Sequence, residues 1–176
     1  MSSETEYESN VIREATFDDI DQLARLYIAS YSQNPQGGAR AAALDFAETT
    51  AHMGRLVSSQ SQTFKFWVSV TIAGQIVGYS TTQPTYPSPD PKYRNGFGLI
   101  STYIAPVAMG KGLGTKLVDH NLNYCRTQTD LAYIVGYRAP SNDRSVKITD
   151  QFGFETIGKL PARSDFPLND FIVLSL

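Results

Sequence analysis

The apolar positions change period twice in the first sixty residues. Residues 10–15 (NVIREA) predict a short strand. Thr16 then suits an N-cap, with Asp18 and Asp19 in the first turn at the positive end of a helix. Ile20, Leu23, Ala24, Tyr27 and Ile28 recur at helical spacing, so that helix should end near Tyr31, before the turn-rich residues 33–38 (QNPQGG). A looser set, Ala43, Leu44, Ala47, Ala51 and Met53, predicts a second helix over residues 40–57.

Strands follow. Residues 64–72 (FKFWVSVTI) alternate and are rich in aromatic and β-branched side chains. Ala73, Gly74 and Gln75 read as a hairpin connection to a partner strand over residues 76–82. Residues 83–96 hold four prolines and read as a long exposed loop. A strand over residues 97–105 and a helix over residues 112–126 come next, the helix carrying Leu113, Leu117, Val118, Leu122 and Cys125 on one face. Residues 131–138 (LAYIVGYR) are nearly all apolar, as in a strand covered on both faces. A short helix over residues 142–152 and strands over residues 154–159 and 171–176 complete the chain. The order β-α-α-β-β-β-α-β-α-β-β predicts a mixed α/β fold with one β-α-β crossover.

Composition narrows the field. The chain has 176 residues, the size of one domain, with residues 1–10 expected as a flexible polar tail and residues 11–176 as a single domain. That tail carries Glu4, Glu6 and Glu8 and no apolar run, unlike a leader peptide. Net charge is −2 with both signs scattered, so no basic stripe for nucleic acid is present and an anionic ligand needs a local site. No apolar run is long enough for a membrane span. The single cysteine, Cys125, excludes an internal disulfide and a multi-cysteine zinc site. No metal is expected, and a reducing, cytoplasmic setting is.

The most informative segment is residues 104–115 (IAPVAMGKGLGT), where a strand ends at Pro106 and Gly110, Gly112 and Gly114 lead into an amphipathic helix. Glycines let backbone N–H groups approach a ligand, and the helix start adds free N–H groups and a positive dipole end. Together they suit a phosphate or pyrophosphate. The spacing fits neither G-x-G-x-x-G, since the third glycine comes one residue early, nor the P-loop, since Lys111 is followed by Gly112.

This segment resembles motif A of the GNAT superfamily of acyl-CoA N-acyltransferases, Q/R-x-x-G-x-G/A after a strand ending in proline. Gly112 and Gly114 match its small positions, and Met109 replaces Q/R. Residues 11–27 resemble the family's opening strand and helix, and residues 66–79 its hairpin. Residues 142–158 resemble its closing motif, N-x-x-A-x-x-x-Y-x-x-x-G-F, with Asn142, Gly153 and Phe154 matching and Ser145 in place of Ala. "STYIAP" with "GFETIG" is loosely similar to the phosphinothricin-acetyltransferase-like branch.

The resemblance implies a GNAT fold: a mixed sheet of about six to seven strands, helices on both faces and splayed central parallel strands. It implies acetyl-CoA as acyl donor, with main-chain bonds from Thr102, Tyr103 and Ile104 to the pantetheine arm. Met109, Gly110, Lys111, Gly112, Leu113, Gly114 and Thr115 would surround the pyrophosphate, and Asn142 would contact the donor, cap its helix, or both. Lys111 is equally a phosphate contact or a solvated lysine. The acceptor implied is a primary amine of a small molecule, and a homodimer is compatible with the family.

The chemistry needs a proton taken from the ammonium, a polarised carbonyl and a protonated thiolate. The family's usual acid, a tyrosine seven residues after the asparagine, is Thr149 here, and a residue of the Leu99 region stands where a strand glutamate often acts as base. Tyr103 and Tyr137 are the candidate catalytic residues by elimination, with Tyr133 also on a central strand; core packing is the competing reading for each. Glu48 and His52 share a helix face near the acceptor side, as catalysts or as a solvated surface. An acyl-CoA-binding domain without turnover is the alternative function.

Overall fold

The structure is a computed structural model that describes residues 9–32, 43–84, 96–161 and 169–176. The expected tail, the turn-rich residues 33–38 and most of the proline-rich loop, with Tyr86 and Tyr93, lie outside the described residues. Seven strands form one sheet: β1 (Val11–Glu14), β2 (Lys65–Val70), β3 (Ile76–Pro84), β4 (Phe97–Ile104), β5 (Tyr133–Arg138), β6 (Glu155–Leu160) and β7 (Asn169–Ser175). Their order is β1-β2-β3-β4-β5-β7-β6. All neighbours are antiparallel except β4 and β5, which are joined by the predicted crossover.

Four described helices flank the sheet: α1 (Ile20–Ser32), α2 (Phe46–Ser58), α3 (Leu113–Gln128) and α4 (Asp143–Gln151). α1 and α2 pack on one face, where Leu23, Leu26, Met53 and Val57 meet Phe66, Val68 and Tyr79. α3 covers the other, where Val118, Leu122 and Cys125 meet Ile134, Ile172 and Leu174, with Ile148 of α4 packed at the edge. Cys125 is buried on the apolar stripe, as its spacing implies, and burial pushes its thiol pKa up.

Several boundaries differ from expectation for local reasons. Thr16 is the N-cap and Asp18 and Asp19 stand in the first turn, as expected, but Asp19 is buried there and takes a bidentate bond from Arg13 at 2.7 and 2.8 Å, plus the Thr16 amide at 2.8 Å. Burial alone would raise its pKa, but these donors outweigh it and the pKa is lowered. A three-residue 3-10 turn, Phe17–Asp19, therefore precedes α1. α2 starts at Phe46, where the Asp45 carboxylate caps the Glu48 amide at 2.9 Å; residues 40–42 of the expected helix lie outside the described residues. β3 runs to Pro84, two residues into the stretch expected as loop, since Gln83 and Pro84 pair with Leu99 and Gly98.

Candidate active site

β4 and β5 pair in register only at Phe97–Tyr133, Gly98–Ile134 and Leu99–Val135. Beyond that point β4 stays with β3 as far as Gly78–Ile104, and β5 stays with β7 as far as Arg138–Asp170. The sheet thus divides into two halves after Leu99. The facing backbone groups of residues 100–104 and 136–138 make no ladder with one another, and such groups demand partners.

The glycine turn stands at the far end of this divide. Pro106–Ala108 makes a 3-10 turn, and Gly110 and Gly112 both adopt φ of 75° with nothing within 4 Å of where a Cβ would stand. That conformation favours glycine. Gly112 is also the N-cap of the sixteen-residue α3 and supplies no side-chain cap. The first-turn amides therefore face an open, glycine-lined approach, which fits an anion such as a pyrophosphate.

Gly114 has a different reason from the one its spacing suggests. It is buried, and a Cβ there would meet Ile148 Cδ1 at 2.9 Å and Ile104 Cγ1 at 3.8 Å. Its small size lets α4 close onto α3, so of the three glycines Gly114 carries a packing role.

Met109 accepts a contact from the Arg144 guanidinium at 3.0 Å, so the turn also touches the start of α4. Lys111, Leu113 and Thr115 lie around this same turn, Leu113 with its side chain buried. Asn142 caps α4 by accepting from the Ser145 amide at 3.2 Å. Its capping reading holds, and the residue is exposed at the helix start.

Alternation sends neighbouring side chains of β4 to opposite faces. Thr102 and Ile104 face α3: the Thr102 hydroxyl is 2.9 Å from Ser80 Oγ, which bonds Asn121 of α3, and Ile104 lies near Gly114. Tyr103 faces α1. Its ring centroid is 4.9 Å from Tyr79, 5.2 Å from Tyr27 and 5.9 Å from Tyr31, with its hydroxyl 3.4 Å from that of Tyr31. Burial pushes the Tyr79 phenol pKa well up, and the Tyr103, Tyr27 and Tyr31 phenols push it further.

Tyr137 is on the same sheet face as Tyr103, judged by the Phe97–Tyr133 ring stack at 5.0 Å and two-residue alternation. It is 49 % exposed and lies on Phe171 at 5.3 Å. The structure brings the two candidate tyrosines to one face on either side of the divide, without ring contact between them. His52 lies at the rim of the tyrosine group, 6.4 Å from Tyr27, and burial together with Arg55 lowers its pKa. Glu48 is exposed one turn away.

Thr149 is committed elsewhere. Its hydroxyl accepts from Arg138 Nη1 and donates to the Ser145 carbonyl at 2.9 Å. Arg138 is nearly buried and also reaches Asp150 at 2.6 Å and Thr156 at 3.2 Å. This cluster was not visible in the sequence, although an arginine closing an apolar strand was the available signal. It ties α4 to the end of β5 and β6.

Residues 11–155 match the Acetyltransferase (GNAT) domain family. The fold, a seven-stranded mixed sheet with helices on both faces, is that of solved GNAT proteins. The chain is similar to yncA of Salmonella typhimurium, solved with its cofactor acetyl-CoA, at 19 % identity, TM-score 0.72, covering 95 % of this chain and 94 % of that one. A GNAT superfamily phosphinothricin acetyltransferase from Sinorhizobium meliloti, in complex with acetyl-CoA, gives 18 %, 0.70, 96 % and 89 % for the same four quantities. A ribosomal-protein-alanine N-acetyltransferase from Brucella melitensis gives 20 %, 0.74, 94 % and 99 %. A search of curated protein sequences found no match. The chain belongs to the GNAT acetyltransferase family, and by class it is an acetyltransferase.

Proposed function

We propose that this protein moves the acetyl group of acetyl-CoA to a primary amine of a small molecule by direct attack on the thioester. The observation that carries the reading is the divide between β4 and β5 after Leu99–Val135, with the Gly110–Gly112 turn at its end. Amides of Gly110, Lys111, Gly112, Leu113, Gly114 and Thr115, with Met109 beside them, suit a pyrophosphate. The main chain of Thr102, Tyr103 and Ile104, beyond the β4–β5 ladder, suits the amides of a pantetheine arm. Asn142 has an NH2 to offer the same arm while its oxygen caps α4. Bound there, the donor supplies an acyl carbon open to a nucleophile.

The chain's own part is then positioning and proton handling. The amine approaches from the tyrosine face. Tyr103 and Tyr137 are the phenols that can donate a proton to the sulfur side, since the Thr149 hydroxyl is held by Arg138 and a helix carbonyl. A neutral His52, its pKa lowered by partial burial, is suited to receive the proton that the ammonium must lose before attack. The working unit is residues 11–176 as one domain, in the cytoplasm, as monomer or homodimer.

A second reading follows from Thr149: with the usual acid replaced by a hydroxyl already committed, the domain binds an acyl-CoA without turnover. One experiment separates the two. Calorimetry with acetyl-CoA is run beside an assay of CoA release over a broad panel of small amines. Binding with amine-dependent release is expected; binding with no release on the whole panel establishes the second reading; no binding overturns both.

A further inference from the structure

The face of β4 that looks toward α3 carries Gly98, Ile100, Thr102 and Ile104. A Cβ on Gly136 of β5 would touch Ile100 Cγ2 at 3.5 Å, and Ile104 lies beside Gly114 at the start of α3. Thr102 therefore stands midway between the point where β4 and β5 part and the glycine turn. It is the one polar side chain on this face of the strand.

Thr102 ends a buried chain of polar groups. Thr82 Oγ1 donates to Asn121 Oδ1 at 3.0 Å, and the Cys125 thiol points at the same oxygen from 3.9 Å. With Oδ1 taking these two donors, the amide turns its Nδ2 toward β3. Asn121 Nδ2 then donates to Ser80 Oγ at 2.9 Å, and Ser80 Oγ lies 2.9 Å from Thr102 Oγ1. Ser80 and Asn121 are fully buried. Ser80 Oγ has Asn121 as a donor, and its own proton is fully buried, with Thr102 Oγ1 at 2.9 Å as its acceptor within reach. With Ser80 donating, the Thr102 proton is left for a partner outside the chain, on the only member of the four that is partly exposed.

We infer that the Thr102 side-chain hydroxyl, aimed by Asn121 and Ser80, donates a hydrogen bond to the sulfur of the acyl donor as that sulfur becomes a thiolate. This rests on the acyl-transfer reading above and adds a side-chain role to a residue otherwise expected to act through its main chain. The amine nitrogen bonds the acyl carbon, the C–S bond breaks, and its electron pair stays on sulfur. The proton lost by nitrogen is the one that finally neutralises the sulfur. An alkyl thiol ionises near about 8.5, whereas an aliphatic hydroxyl keeps its proton throughout, so Thr102 stabilises charge and transfers nothing. Hydrogen bonds to a charged atom are the strong ones.

The test titrates the thiol of CoA bound to the full chain, by thiolate absorbance, beside steady-state turnover of acetyl-CoA. In the wild type the bound thiol should ionise below free CoA. Thr102→Val should raise its pKa by about one unit and lower kcat by roughly tenfold to a hundredfold, with donor KM little changed. Thr102→Ser should restore both. Ser80→Ala removes the donor that orients the Thr102 hydroxyl and should move both in the same direction by less; it serves as the second variant where Thr102→Val does not fold. A thiol pKa and kcat unchanged in a folded Thr102→Val or, in its place, Ser80→Ala overturn the inference alone. Failure of CoA to bind the wild type overturns the acyl-transfer reading, and the inference with it.

Discussion

Beyond Leu99 the two faces of β4 are built on different principles. On the α1 side Tyr103 sits among Tyr27, Tyr31 and Tyr79, held by ring packing, with its hydroxyl 3.4 Å from that of Tyr31. On the α3 side Thr102 lies between two isoleucines and ends a chain of hydrogen bonds at 2.9 to 3.0 Å. Ring packing positions a phenol through its faces and edges. A buried hydrogen-bond chain constrains where protons can point. On the proposed reading, one wall handles a proton and the other lies along the acyl donor.

The comparison breaks most sharply at the tyrosines. Tyr103→Phe or Tyr137→Phe should preserve packing and, at whichever handles the proton, lower kcat by roughly ten to ten thousandfold. Calorimetry should find donor affinity nearly unchanged. Wild-type kcat in both variants would leave solvent or the thiolate to manage the proton.

Next in size is the glycine turn. Gly112→Ala should weaken acetyl-CoA binding by at least about tenfold, near 1.4 kcal/mol, because a Cβ enters the space where the anion approaches. Any side chain there is also strained at φ of 75°. Gly74→Ala, with φ of 79° in the β2–β3 turn, separates the two effects. It should lower Tm by a similar amount and leave donor affinity intact; equal losses of affinity in both would make strain the whole cause.

The smallest effect is expected at Thr149. Thr149→Val removes the Arg138 contact and the bond to the Ser145 carbonyl but not the proposed acid, so kcat on a true substrate should stay within a few-fold while stability falls by about 1–2 kcal/mol, read as a lower Tm. A hundredfold fall in kcat with the fold intact would give Thr149 a direct role.

Much of the architecture was legible because its signals are local. Helical spacing gave the buried stripe of α3, from Leu113 to Cys125, and two-residue alternation gave the hairpin of β2 and β3. The glycine turn was legible for the same reason: Gly110 and Gly112 need positive φ whatever surrounds them. The packing role of Gly114 was not legible, because its neighbour Ile148 lies more than thirty residues away in the chain. The first-turn pattern placed Asp19 at the helix start but could not show that Arg13 folds back onto it.

The sequence by itself determined the order of elements, the crossover between β4 and β5 and the turn that can cradle an anion, since each depends on residues within a few positions of one another. Tertiary structure alone decided which hydroxyls are spoken for. Thr149 is held by Arg138, while Thr102 meets Ser80, which in turn meets Asn121, and these partners come from separate strands and helices. Hydrogen bonds extend only about 3 Å, so the direction of a proton is settled last, when packing brings distant segments into register.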